Sequence, residues 1–283
     1  MPDFPIVDTH LHLWDPSKLN YGWLKGSKQL FRAFLPEDFK TAIGKVNVEK
    51  AVFVQCDCDA AQAVQEAEWV ASLATRDERI KGIVAYAPLH EGAKVETALA
   101  KLAENKLVKG IRRICQGEAD LEFATKKEFI EGVQALKKFN FSFDHCIKYT
   151  QLPAAIKMAE ACPDVKIILD HIGKPDIKSG KLEPWNADIK KLAALPNVFC
   201  KISGLVTEAD LTQWKPEDLR PYILQVIESF GISRVMFGGD WPVCTLACEY
   251  PRWVDALDAA LRGTPVSDQH KLYRENAVSF YKL

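Results

Sequence analysis

Ala51-Val52-Phe53-Val54-Gln55 is an apolar run of strand length, and Ala60 to Ala74 follows it after a short polar break. In that second stretch Val64, Ala67, Val70, Ala71 and Ala74 recur at i, i+3, i+4 spacing, the stripe of an amphipathic helix. The first run is apolar at nearly every position rather than at alternate ones. A strand reads that way when helices cover both of its faces, as in a parallel sheet. One buried strand followed by one amphipathic helix is therefore the unit to look for elsewhere in the chain.

The unit recurs on both sides. Strand-like runs are Ile6 to His10, Ile80 to Ala85, Val108 to Arg112, Phe141 to Asp144, Lys166 to Asp170, Val198 to Ile202 and Arg234 to Gly238. Helical stretches are Val95 to Asn105, Lys126 to Phe139, Leu152 to Cys162, Pro184 to Leu195, Pro216 to Phe230, Tyr250 to Arg262 and Ser267 to Tyr281. Pro184 and Pro216 suit a first helical turn. Strand and helix alternating in this way predict an α/β protein, a (β/α)8 TIM barrel. An open doubly wound sheet is the architectural alternative. The chain contains no G-x-G-x-x-G and no G-x-x-x-x-G-K-[ST], so the dinucleotide and phosphate-loop functions of open sheets find no support. No linker or shift of composition divides the 283 residues, so residues 1–283 read as a single domain. Leu13 to Pro36 is a long aromatic loop holding Trp14, Tyr21, Trp23, Phe31 and Phe34. It is expected either to cover an active site or to pack beside the barrel.

Composition narrows the function. Lys+Arg total 37 against Asp+Glu 38, so no basic excess recruits nucleic acid or an acidic membrane surface. No stretch approaches the roughly 18 apolar residues of a membrane span. The start carries no cationic segment followed by an apolar one, which predicts a cytoplasmic protein. The eight cysteines then read as reduced thiols rather than a disulfide framework, and none has the paired C-x2-C spacing of structural zinc. A nearly neutral composition with 10% aromatics permits a monomer or a homodimer.

In a barrel, chemistry sits at the C-terminal ends of the strands. Those predicted ends carry His10-Leu11-His12, Arg112-Arg113, Asp144-His145, Asp170-His171 and Gly239-Asp240-Trp241. His10 and His12 are two apart, so on an extended strand both point to one side, as metal ligands or proton-handling groups. Arg112 and Arg113 are adjacent, so one of them faces the barrel. An inward guanidinium needs an anionic partner, either substrate or Asp144. Asp240 is read as a general base on water, with an N-cap for the following helix as the plain alternative. Trp14, Trp23 and Trp241 flank the predicted mouth, as aromatic faces for a ligand or as core.

Val7-Asp8-Thr9-His10-Leu11-His12-Leu13-Trp14-Asp15-Pro16 resembles the opening of the amidohydrolase superfamily, in its sugar-lactonase branch. Val108 to Arg112, Leu169-Asp170-His171-Ile172-Gly173-Lys174-Pro175, Cys200 to Glu208 and Met236-Phe237-Gly238-Gly239-Asp240-Trp241-Pro242-Val243 resemble the same branch. It includes L-fuconolactonases and L-rhamnonolactonases, with dicarboxylate lactonases as more distant relatives. The resemblance implies a barrel hydrolase that opens an L-fuconolactone-like aldonolactone. It places His10, His12, His171 and Asp240 around the reacting carbonyl, with Asp240 and His171 catalytic. It makes Arg112, straight after Gly110-Ile111, the inward arginine. It also implies one divalent cation, zinc above all, on His10, His12 and Asp240; metal-independent hydrolysis stays open. Arg112, His145, Lys174, Trp14, Trp23 and Trp241 are then the expected substrate contacts. His145 departs from the branch, which has an apolar residue there. A decarboxylase or lactone isomerase on the same barrel, or a non-catalytic binding barrel, are the competing readings.

Overall fold

The computed structural model describes residues 1–283. Eight strands follow one another around a nearly closed parallel barrel: β1 (Ile6–Leu11), β2 (Val48–Val54), β3 (Ile80–Ala85), β4 (Val108–Ile114), β5 (Ser142–Cys146), β6 (Ile167–Leu169), β7 (Val198–Ile202) and β8 (Val235–Phe237). Each pairs in parallel with its neighbour in sequence order. The ring closes just beyond β8, where Leu11 bridges Trp241. There Asp240 N–H donates to His10 O at 2.8 Å and His12 N–H donates to Trp241 O at 2.8 Å. Asp8 reinforces this seam from the helix-facing side, where Tyr250 of the helix after β8 lies. Its buried carboxylate accepts from Gly239 N–H at 2.7 Å and from Tyr250 Oη at 2.9 Å.

The helices α1 (Pro36–Ala42), α2 (Ala63–Ala74), α3 (Glu96–Ala103), α4 (Lys127–Phe139), α5 (Leu152–Ala161) and α6 (Trp185–Ala193) lie between successive strands. A single turn α7 (Leu205–Glu208) and then α8 (Pro216–Phe230) follow β7, and α9 (Tyr250–Ala260) follows β8. The terminal stretch is broken: α10 (Val266–His270) and α11 (Asn276–Tyr281) flank a π-helical turn at Lys271–Glu275. Pro216 takes the first position of α8, whereas Pro184 stands just before α6 as its cap. The aromatic loop is not featureless; it ends in α1, whose Phe39 packs on Trp241 at 5.3 Å between ring centroids.

Two apolar layers result. The larger lies between strands and helices. The smaller fills the inside of the barrel with Val7, Val52, Val54, Val84, Ile168 and Met236, and Ala277, Phe280 and Tyr281 of α11 close it from the N-terminal end. Register carries this inner face across the sheet: Asp144 aligns with Ile168 on β6, and Lys201 aligns with Met236 on β8. Asp144 and Lys201 therefore replace apolar filling with charge partway up the barrel, and neither is exposed at all.

Candidate active site

At the C-terminal end of the barrel a cavity of about 220 Å³ is lined by His12, Trp23, Cys56, Asp57, Arg112, Ile114, Gln116, Cys146, His171, Lys174, Asp240 and Val243. His10 lies directly beneath. Its ring is 4.8 Å from that of His12 and 4.4 Å from that of His171. Asp240 Oδ1 is 3.4 Å from His12 Nε2 and 3.7 Å from His10 Nε2. The two side chains of β1 and the carboxylate after β8 thus meet at the seam that closes the ring.

Backbone strain places the remaining groups. His171, Ile172 and Lys174 have φ of +53°, +50° and +47°, and Asp240 has +55°. Non-glycine residues in the left-handed region are uncommon and cost of the order of 1–3 kcal/mol each, so such a run persists only where its surroundings impose it. Trp185 Nε1 holds the Ile172 carbonyl at 2.7 Å. Ser203 Oγ lies 2.9 Å from His171 Nδ1 and orients that ring. Gly204, at φ +65°, lies under it; a Cβ there would fall 2.4 Å from Nδ1.

Several expected contacts fall elsewhere. His145 is buried on the helix-facing side of β5, 4.9 Å from Phe143 and 6.3 Å from Phe129 between ring centroids, and does not line the cavity. Asp144 points inward, and successive residues of a strand point to opposite faces, so its neighbour must point out. Burial among aromatic rings pushes His145 down to about 3. Trp14 is fully buried, its indole N–H donating to Arg32 O at 2.9 Å, and so supports the loop rather than the substrate. Trp241 turns away from the cavity onto Phe34 and Phe39. Only Trp23 of the three lines the cavity, 39% exposed and anchored by Nε1 to Cys56 O at 2.7 Å. Arg112 does face inward, but its carboxylate partner is Asp170 at 3.4 Å, not Asp144. Lys174 reaches the cavity and pairs with Glu208 at 3.3 Å. The Asp240 side chain caps no helix: the 3-10 turn that follows has Pro242 at its cap position.

The electrostatics sort acids from bases. Burial pushes all three imidazoles down, His171 to about 4 and His10 and His12 below their usual value, so they are neutral at neutral pH. Burial alone would raise Asp240, but as the pH falls the histidines take up protons first, and the charge then on His171, with a hydrogen bond from His12 and the charges of His10 and His12, holds the carboxyl below its usual range. The carboxylate is ionised. Burial raises the Cys56 thiol well up and pushes Cys146 up to about 11, so neither cavity cysteine supplies a thiolate.

A family model described as amidohydrolase matches residues 7–283. The chain belongs to the amidohydrolase family. An L-fucono-1,5-lactonase of Burkholderia multivorans is 33% identical over 276 residues, 90% of this chain and 91% of the relative. One from Burkholderia ambifaria is 29% identical over 98% of this chain and 95% of the relative. Among solved structures, an amidohydrolase from Burkholderia multivorans with bound zinc superposes with a TM-score of 0.89 at 27% identity, covering 99% of this chain and 100% of that one.

In this amidohydrolase His10, His12 and Asp240 offer ligand atoms within 4.8 Å of one another. Two neutral imidazoles and a carboxylate suit a divalent cation such as zinc. His12 Nδ1 lies 2.7 Å from the Val54 carbonyl, which can only accept, so Nδ1 carries the ring proton. Nε2 then turns a lone pair toward the Asp240 carboxylate. Two acceptors 3.4 Å apart need something positive between them, a proton or a metal ion. The donor set therefore fits a divalent cation. Arg112 is a fixed cation on the opposite flank, with Nη1 3.2 Å from His10 Nε2.

Sequence reasoning missed Lys201, Ser203 and Glu66. Lys201 sits among apolar strand residues, and a charge at an inward position between them was the available signal. Glu66 lies on the buried face of α2, and its carboxylate accepts from Cys56 N–H at 3.1 Å, beneath the cavity wall.

Proposed function

We propose that this amidohydrolase opens a sugar-acid lactone of the L-fuconolactone type by attack of water on the ester carbonyl, with Asp240 as general base. The observation that carries this reading is the meeting of the ionised Asp240 carboxylate, three neutral imidazoles and two cations, Arg112 and Lys174, at one small cavity. Hydrolysis of a lactone needs a proton acceptor for water, positive charge for the carbonyl oxygen, and a proton for the departing alkoxide. Asp240 accepts the first proton as water adds to the carbonyl carbon. Arg112, Lys174 and His171 face the negative charge that gathers on the tetrahedral oxygen. As the ring C–O bond breaks, the proton held by Asp240 passes to the ring oxygen, which leaves as a hydroxyl on the same molecule. A divalent cation on His10, His12 and Asp240 would supply Lewis-acid polarisation of the carbonyl.

The cavity volume, about 220 Å³, is below the roughly 300–1,000 Å³ typical of drug-sized ligands and suits a single sugar ring. Trp23 offers an aromatic face at its rim, and Ile114 and Val243 make an apolar patch that fits a deoxy position better than a hydroxymethyl group. A panel of sugar lactones followed by proton release, with and without chelator, tests the reading. Wild type is expected to release acid from at least one aldonolactone, and Asp240→Asn to lose about 100-fold or more in kcat. Acid release by Asp240→Asn at the wild-type rate would remove the general base. A rate unchanged by chelator would assign carbonyl polarisation to Arg112, Lys174 and His171 without a metal ion.

A further inference from the structure

At the other end of the barrel, where strands begin and helices end, lies a second cavity of about 330 Å³. It is larger than the cavity of the candidate active site and within the roughly 300–1,000 Å³ of small-molecule pockets. Lys106, Lys109, Lys137, Lys166 and Lys282 line it, against the one carboxylate of Asp164. Lys137 and Asp164 are paired at 2.7 Å. The other four lysines make no ion pair, in a chain whose charges otherwise balance, 37 basic against 38 acidic.

A basic residue at the end of a helix offsets the negative end of its dipole. That accounts for Lys137 in the last turn of α4 and for Lys282, which caps α11. It does not account for Lys109, within β4, or for Lys166, which stands directly before β6. Strands in a sheet have little net dipole to offset. Nor do the helix ends cancel the lysines. α3, α4 and α11 reach the cavity through Ala103, Phe139 and Tyr281, each bringing about half a negative charge. With Asp164 they offset about half of the lysine charge and leave roughly two positive charges around one small concave volume. A cleft lined by one sign of charge gathers ions of the other.

The residue types narrow the anion. No arginine lines the cavity, and arginine is the planar partner that bidentate carboxylate recognition favours. Lysine binds phosphate as a point charge. One phosphate offers three acceptor oxygens, fewer than the four free lysines; two joined phosphates offer enough and carry a charge close to the excess. Phe139 and Phe141, with ring centroids 6.1 Å apart and planes within 19°, supply an apolar stretch of wall beside the charges.

We propose that this floor cavity binds a small diphosphate-bearing ligand, held by Lys106, Lys109, Lys166 and Lys282, with Phe139 and Phe141 against whatever group carries the diphosphate. The site is separate from the lactone cavity and stands whether or not that cavity opens a lactone.

The test is titration calorimetry on the full-length protein with inorganic pyrophosphate at physiological salt. Wild type is expected to take up one pyrophosphate per chain, about tenfold more tightly than inorganic phosphate. Lys109→Gln/Lys166→Gln removes the two lysines that helix dipoles do not explain. It should weaken pyrophosphate binding by about tenfold, the sum of two exposed charge contacts. Lys190→Gln/Lys215→Gln removes two exposed lysines that line no part of the cavity, and should change nothing. Lys174→Gln, at the other end of the barrel, should also leave the binding as it is. If the double variant at Lys109 and Lys166 does not fold, Lys282→Gln carries the test, with a loss of about threefold. ADP binding more tightly than pyrophosphate would assign the ligand to a diphosphate ester, and equal binding to the free diphosphate; both retain the site. Pyrophosphate that does not saturate, or that binds no more tightly than phosphate, overturns the proposal. An equal loss in Lys190→Gln/Lys215→Gln would reduce the effect to general charge attraction and overturn it as well. So would a loss in Lys174→Gln alone, which would put the anion at the active-site end.

Discussion

Gly204 is the residue on which the geometry of His171 turns. At φ +65° it occupies a conformation that costs an L side chain about 1–2 kcal/mol, and a Cβ would also meet the His171 ring at 2.4 Å from Nδ1. The flexible end of a long side chain could yield to such a contact, but an imidazole tied by Ser203 at 2.9 Å and set on a backbone at φ +53° has little room to do so. Gly204→Ala is therefore expected to displace His171 and reduce kcat by about tenfold or more while leaving the barrel folded, as misplacing a reacting group by about 1 Å does. Lactone kinetics beside a thermal melt check this. A variant as active as wild type would mean that His171 need not stand where Ser203 holds it.

The loop from Leu13 to Pro36 and the first turn of the second βα unit form one element of the cavity wall. Trp23 Nε1 grips Cys56 O, and Glu66 on α2 accepts from Cys56 N–H, so both sides of one residue are pinned. Burial drives the Glu66 carboxyl up from 4.5 to about 7. Its effect on stability has a definite sign. Below pH 4.5 neither folded nor unfolded chain ionises Glu66, and it costs nothing. Between 4.5 and about 7 the unfolded chain loses the proton first, so stability falls as pH rises; above about 7 the loss is constant. Glu66→Gln keeps the shape without the charge. Its stability relative to wild type should rise between pH 4.5 and 8 by about 3 kcal/mol, and denaturant titrations at the two pH values should read this. A difference that does not change with pH would mean that Glu66 is not raised by burial. Elements of this kind separate what the sequence exposes from what it hides. Strands and long helices are legible because burial on two faces and a 3.6-residue stripe leave periodic marks; the stripe predicted for Pro216 to Phe230 matches α8 residue for residue. The short α1 leaves none, since its seven residues carry too few turns to show a stripe. Strand ends mark the site because polar groups there interrupt apolar runs. Direction within those ends is harder. Asp144 and His145 are equally conspicuous in the sequence, yet one turns into the barrel and the other into the helix layer, and only the register against β4 and β6 decides which. Glu66 and Lys201 escape notice because each sits in a segment whose pattern is otherwise that of its element.

Across the whole molecule the two ends of the barrel do different work, and α11 belongs to both. Phe280 and Tyr281 are neighbours on that helix, each closing the barrel floor, 5% and 2% exposed. Phe280 packs on Phe199 at 4.8 Å between ring centroids and carries no polar group. Tyr281 adds a hydroxyl that donates to Asp144 Oδ2 at 2.7 Å, and Asp144 pairs with Lys201, which lies beside Asp170 beneath the site. Their deletions should therefore separate stability from activity. Phe280→Ala removes a buried ring and leaves a cavity, for which the usual cost is about 3–5 kcal/mol. In a chain of this length 1 kcal/mol corresponds to about 2–4 °C, so the melting temperature should fall on the order of 10 °C. At temperatures well below that melt, kcat should stay near wild type, because the upper barrel sees no change of charge. Tyr281→Phe should do the reverse, with a small change in melting temperature and a measurable loss in kcat. Calorimetry and kinetics on the two variants, run side by side, give the comparison. If Phe280→Ala lost activity in proportion to Tyr281→Phe, the floor would act on the site through packing as a whole, and the hydroxyl would have no separate part in it.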